Sequence, residues 1–260
     1  MTRKQALRWS LVSLIAVLAV ALTFFLVDLG GTTGAASEKS PTARGTQPPN
    51  KMQAVGVWPL DGGEGAAVKD SAGKYDAKLL GGATWGKGEG GGVLELDGHR
   101  GFVDVGTRVL DVSKDYTVAA WVRMDAPGFR TAVSLDGPDA SVFFLQYVAD
   151  DKRFSFSFIN ARALAQTVGE PELGRWYHLA GSYDQAAGTL RVYVDGKLAG
   201  MSQARNVTPP AENLVIGRGR SSGRQADFWD GGLADVRVFN RLLTDGEVAS
   251  LAAERPNGAS

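Results

Sequence analysis

The run Gly174–Gly200, GRWYHLAGSYDQAAGTLRVYVDGKLAG, is the stretch that most constrains the fold. Trp176, His178 and Ala180 alternate with Tyr177, Leu179 and Gly181, a two-residue period that sends side chains to opposite faces of a strand. Asp184–Gly188 interrupts the pattern with turn residues. Leu190, Val192 and Val194 then alternate with Arg191, Tyr193 and Asp195. Asp195-Gly196 suits a tight hairpin turn, which needs positive φ at its central residues. Lys197–Gly200 begins the return strand. Two successive hairpins commit this part of the chain to antiparallel sheet through local chemistry alone.

The chain has 260 residues, of which 44% are hydrophobic and 22% charged, enough to bury one sandwich core with appendages. Its 34 glycines fit many short strands joined by tight turns. Lys and Arg number 28 and balance 28 Asp and Glu, without the basic excess of a nucleic-acid binder. Cysteine is absent, which excludes disulfides, zinc–thiolate sites and thiol catalysis.

Residues 1–9 carry Arg3, Lys4 and Arg8 and no acid. Residues 10–28 form an apolar segment in which Leu11–Val27 has only Ser13 and Thr23 as polar interruptions, long enough to cross a hydrocarbon core. Basic residues ahead of it place the N-terminus in the cytoplasm and the remainder outside. A single-pass signal anchor is the preferred reading. The alternative is a cleaved signal peptide and secretion, since Gly34-Ala35-Ala36 offers small residues to a peptidase. Residues 29–52, rich in Gly, Ser, Thr, Pro and Ala, read as a disordered linker. A domain over residues 53–254 follows, and residues 255–260 read as a frayed tail.

Within the domain, Tyr116–Met124 is apolar on both alternating sets, the mark of a central strand. Thr131–Leu135, Ser141–Val148 and Arg153–Ile159 read as strands, the last from the alternation of Phe154, Phe156 and Phe158 with Ser155 and Ser157. Ala161–Val168 is also read as a strand. Thr244 with Glu247 three residues on predicts a capping box and a short C-terminal helix.

Several runs carry a resemblance. Gly174-Arg175-Trp176-Tyr177-His178-Leu179-Ala180, Ser182-Tyr183-Asp184 and Gly188–Gly196 resemble, with their spacing kept, the signature of the LamG-like jelly-roll family of the concanavalin A-like class. Asp70-Ser71-Ala72-Gly73, Tyr116–Met124, Asn213–Gly217 and Phe228–Val248 resemble its opening, central and closing elements. The resemblance spans about Ala54–Leu251. It implies an all-β fold, a two-sheet antiparallel jelly-roll sandwich. It says less about function, because this sandwich hosts lectins, adhesion modules and glycosidases alike.

Three kinds of chemistry are weighed on that frame. Retaining glycosidases need two carboxylates about 5–5.5 Å apart. The sandwich-type glucanases present them as an E-x-D-x-x-E run. Glu95-Leu96-Asp97 supplies its first half, but Arg100 stands where the second glutamate belongs. His178, Trp121 and Trp176 are read as packed strand residues. The chain is therefore expected not to be an enzyme.

For calcium, which takes oxygen ligands, the resemblance implies a site between the opening loop and the last strand, with Asp70 and Asp235 as ligands. Ala234 stands where the family often has a further acid. For a ligand surface, Arg218, Arg220 and Arg224 cluster shortly before Trp229, a basic loop beside an aromatic that suits an acidic glycan or a partner's carboxylate. The expected function is a membrane-anchored extracytoplasmic recognition module for a glycan or a surface protein. A structural subunit without sugar binding and a glycoside hydrolase are the alternatives.

Overall fold

In a computed structural model of the chain, residues 53–62, 64–88, 91–204 and 210–259 are described. The segments read as anchor and linker lie outside them. Among the described residues no helix is long and apolar enough to cross a membrane.

Among the described residues, eighteen strands, one helix and a terminal 3₁₀ turn follow in order. The first six strands are β1 (Gly56–Trp58), β2 (Ala67–Val68), β3 (Ala77–Leu80), β4 (Thr84–Gly88), β5 (Gly91–Asp97) and β6 (Phe102–Asp104). Next come β7 (Tyr116–Met124), β8 (Arg130–Leu135), β9 (Phe143–Val148), β10 (Arg153–Phe158), β11 (Ala161–Leu164) and β12 (Trp176–Asp184). The last are β13 (Thr189–Val194), β14 (Lys197–Gln203), β15 (Leu214–Ile216), β16 (Gly219–Ser221), β17 (Arg224–Ala226) and β18 (Asp230–Phe239), then helix α1 (Asp245–Ala253).

The strands form two antiparallel sheets, ordered β14-β13-β12-β7-β18-β5-β4 and β11-β10-β9-β8-β15-β6-β3-β2, with a separate β16–β17 ribbon. This is the expected jelly-roll sandwich. The Asp195-Gly196 turn has φ of 48° and 76°, the positive pair that its hairpin requires. Strand β7 is central, paired with β12 from Tyr116↔Tyr183 to Arg123↔Trp176 and with β18 on its other side. The reading of Ala161–Val168 as one strand is corrected: β11 stops at Leu164, where the chain turns toward the other sheet.

The core lies between the sheets. Val118, Val122, Leu179 and Val192 of the first face Phe143, Phe154 and Phe156 of the second, and all are buried. Gly181 is demanded by this packing, since a Cβ there would stand 2.2 Å from the Phe156 ring. Gly200 has a similar role at the side of the sandwich. Its Cβ would lie 1.8 Å from the Leu164 carbonyl oxygen, so the edge strands β14 and β11 close on each other only because the side chain is missing. The Thr167 amide donates to the Ala199 carbonyl along this seam (3.2 Å).

The outer face of the first sheet is also covered. Helix α1 lays Val248 and Leu251 over Ala119, Ala180, Tyr193 and Phe239. Its predicted capping box is present, with Thr244 accepting from the Glu247 amide and Glu247 accepting in return from the Thr244 amide. The C-terminal tail is not frayed as expected. Asn257–Ala259 forms a 3₁₀ turn, and Ala259 is buried against Val93, Trp121, Trp176 and Ala234. Those tryptophans are thus roofed by the chain's own end.

Candidate functional site

The two residues expected to bind calcium are hydrogen-bonded within the chain. The buried Asp70 carboxylate accepts four backbone amides, from Val57 (2.8 Å), Ala72 (2.8 Å), Lys74 (3.1 Å) and Tyr75 (3.0 Å). It staples the opening turn to β1 and has no lone pair to spare for a metal. Asp235 sits at a bulge in β18 with φ of 46°, and its Oδ1 accepts from Arg237 Nε (2.8 Å). Burial pushes the Asp235 carboxyl up from its ordinary range against the pull of Arg237. Among the described residues no three His, Asp or Glu side chains form a group that could hold a metal. The donor set does not fit a calcium ion.

The basic-aromatic cluster is likewise taken apart. Arg218 is buried, forms a bidentate pair with Asp136 (2.9 Å for each contact) and lies 4.7 Å above the Phe102 ring. Trp229 is wholly buried and donates its indole N–H to the Arg123 carbonyl (3.0 Å). Arg220 pairs with Asp136 (3.2 Å) and Glu212 (3.5 Å). Arg224 is exposed on β17. Two of the four expected contacts therefore belong to the interior and one to an ion-pair network, and no common surface presents all four.

The Glu95-Leu96-Asp97 run carries no acid pair for catalysis. Glu95 is held by Arg123 (2.9 Å). The Asp97 carboxyl falls to about 2 although burial opposes the shift, because the amides of Arg100, His99 and Gly101 all donate to it. It shapes the turn after β5. His178 is buried edge-on to Trp121 with ring centroids 5.5 Å apart, and burial, helped by Arg237, lowers its imidazole to about 3.

A cleft that the sequence did not signal opens where β10, β12 and the β13–β14 turn meet the loop 165–175. Its volume is about 630 Å³, within the usual range for ligand sites. An aromatic column runs under it, with Tyr147 edge-on to Phe154 (6.1 Å) and Phe154 edge-on to Tyr177 (5.2 Å). The Arg175 guanidinium caps the column 4.6 Å above the Tyr177 ring. Arg175 also bridges Glu172 (3.4 Å) and Asp195 (3.5 Å), while Lys152 reaches Glu170 (3.3 Å). Leu198 and the pair Asp195 and Lys197 supply the facing wall.

Local chemistry holds this loop in place. Gly174 takes φ of 77° and donates its amide to the Met124 carbonyl (2.8 Å), which turns the chain into β12. The Glu172 amide donates to Tyr177 Oη (2.9 Å), and Arg153 donates to the Val168 and Ala165 carbonyls. The cleft therefore joins carboxylates, two cations and an apolar floor on an ordered frame. Arg175 and Asp195 lay within the hairpin motif and Glu170 and Glu172 in a turn-rich run before it. Only the fold brings them together.

Comparison with known proteins agrees with this architecture. A sialidase of Trypanosoma rangeli bound to the inhibitor DANA superposes with a TM-score of 0.58 at 21% identity, over 76% of this chain and 32% of that one. Domain 4 of AbnA, an extracellular arabinanase from Geobacillus stearothermophilus in complex with arabinotriose, gives 0.55 at 17% identity, covering 76% of this chain and 98% of that domain. At these identities the likeness shows the fold alone. The rat sushi, von Willebrand factor type A, EGF and pentraxin domain-containing protein 1 is 25% identical over 178 residues, which is 64% of this chain but only 5% of that protein. The family model of the concanavalin A-like lectin/glucanases superfamily matches residues 97–249, more than half of the sequence, and the chain belongs to that superfamily.

Proposed function

We propose that the domain is a non-catalytic recognition module that binds carbohydrate in the cleft capped by Arg175, held outside the cell by the apolar segment 10–28. The observation that carries the reading is the cleft itself. Carboxylates and amines positioned around an apolar floor match a sugar ring, whose hydroxyls need donors and acceptors and whose C–H face needs apolar contact. A non-catalytic role is supported by the ion pairs, since Glu170, Glu172 and Asp195 each already face a cation. A carboxyl that must give up or take a proton works best without such a partner. The exposed Leu173 and Leu198 beside the cleft favour a second reading, a protein surface as the partner.

The test is a glycan array probed with the fragment beginning at Gln53, in the native form and as Arg175→Ala. The expected result is binding that Arg175→Ala weakens about tenfold or more, the order of a lost charge-assisted hydrogen bond, and that a chelator leaves unchanged. Equal binding by both proteins overturns the cleft as the site, and absence of any glycan ligand moves the reading to a protein partner.

A further inference from the structure

The segment that follows helix α1 closes over a groove on the outer face of the first sheet. Small residues of β18 make the floor of this groove. Ala234 pairs with Trp121 of β7, and a Cβ at Gly232 would stand 2.7 Å from the Trp176 ring. Trp121 and Trp176 are diagonal neighbours on the β7–β12 ladder, where Arg123 pairs with Trp176 and His178 with Trp121. The Arg123 guanidinium lies 5.4 Å over the Trp176 ring and is held by Glu95 (2.9 Å) and Asp125 (2.7 Å). Two aromatic faces bordered by such donors and acceptors are the chemistry of a sugar platform.

The roof over this platform is slight. Of residues 255–259 only Ala259 is buried, and it offers the groove one methyl group. Arg255 lies 5.6 Å over the Trp121 ring, and its Nε donates to the Ala259 carbonyl. The Ala259 amide donates to the Pro256 carbonyl (2.9 Å). Both of these bonds lie within the segment and travel with it. The cover also leaves polar groups unmet. Trp121 is 6% exposed, yet its indole N–H has no hydrogen-bond partner among the described residues, and neither has Nδ1 of His178 edge-on to it. A buried tryptophan N–H usually finds a partner, so a ligand carrying an acceptor complements the groove better than the segment does. A cavity of about 290 Å³, lined by Pro256, Asn257 and Gly258 and by Asp61, Asp235 and Arg237, leaves the segment room to swing about Glu254. Chain ends held by so few contacts open locally without unfolding the rest.

We propose that residues 255–259 are an autoinhibitory strap. Shut, the strap occludes the Trp121–Trp176 groove. Open, it admits a sugar chain whose ring stacks on the tryptophans and whose oxygen accepts from the Trp121 indole N–H. The inference rests on reading the domain as a carbohydrate module, but the groove shares neither tryptophan with the Arg175 cleft.

Two measurements test it on the full chain. In hydrogen exchange followed by NMR, the Trp121 indole N–H is expected to exchange about tenfold or more faster than those of Trp58 and Trp229, which donate to the Tyr75 and Arg123 carbonyls. Ala259→Glu, which puts a charge where the methyl is buried, is expected to speed Trp121 further and leave the other two unchanged. On a glycan array, Ala259→Glu and a chain lacking residues 255–260 are each expected to bind about tenfold or more tighter than the native chain, since a strap shut about nine-tenths of the time lowers apparent affinity by that factor. Trp121→Phe in the shortened chain is expected to remove about fivefold of the gain, as one lost hydrogen bond does, whereas Arg175→Ala leaves the gain intact. Trp121 exchange that Ala259→Glu does not move, a gain that vanishes with Arg175→Ala, or no gain in either strap variant overturns the proposal. Native binding that depends on Arg175, with no gain in either variant, defeats the strap and leaves the cleft standing.

Discussion

Arg218 shows what a single side chain can conceal. In the sequence it is one of three arginines in a serine-rich loop, and nothing nearby marks it as interior. Its partner Asp136 is 82 positions away, and only the fold joins them. Trp229 is the same case, because its indole N–H is satisfied by a carbonyl 106 positions away. Burial set by distant partners leaves no local trace, whereas the alternation of Phe154, Phe156 and Phe158 does, and those three rings point inward as read. Asp136→Ala strands a buried guanidinium and is expected to cost about 3–5 kcal/mol. Replacing both members, Asp136→Leu with Arg218→Met, is expected to recover most of that in a denaturant titration. His178 makes a pH prediction. Its imidazole, ordinarily near 6.5, is held down to about 3. Below pH 6.5 the unfolded chain takes up a proton that the folded one refuses, so this contribution is full above about 6.5 and drains as pH falls toward 3. The slope reaches about 1.4 kcal/mol per pH unit. Denaturation between pH 6.5 and 5, above the carboxylate range, is expected to show that slope in the native protein and a flatter one in His178→Phe. Identical slopes refute it.

Among the elements, the hairpins and the capped helix were legible because their determinants are neighbours in the chain: an Asp-Gly turn, a two-residue period, a threonine three residues before a glutamate. The loop 165–175 was not, since its place depends on the seam between β11 and β14. Gly200 is the residue on which that seam turns. Gly200→Ala is expected to push β14 off the Leu164 carbonyl, lower the melting temperature by several degrees and weaken glycan binding in the cleft, although residue 200 does not line it. A variant with native melting and native binding shows that the seam yields without consequence. The residues that the resemblance offers to calcium are held by contacts at the same scale. The Asp70 carboxylate is taken up by three amides of its own turn, from Ala72, Lys74 and Tyr75, and by the Val57 amide of β1.

For the molecule as a whole, we propose that the N-terminal segment sets location. With residues 10–28 as an anchor, the full chain is expected in the membrane fraction after carbonate washing, and deletion of residues 1–28 is expected to release it to the soluble fraction. Recovery of a shortened chain from the medium instead indicates cleavage after Gly34-Ala35-Ala36. The bulge at Asp235 has a further consequence at this scale. It lets the end of β18 pair with β1 after its beginning has paired with β5, so the first and last strands of the domain are hydrogen-bonded neighbours from Gly56↔Val238 to Trp58↔Val236. A chain can enter and leave such a domain through one doorway. The unit can therefore hang as a pendant from a single tether, be spliced into a surface loop of another protein, or be recut with its old ends sewn together, and keep its Arg175 cleft through each rearrangement.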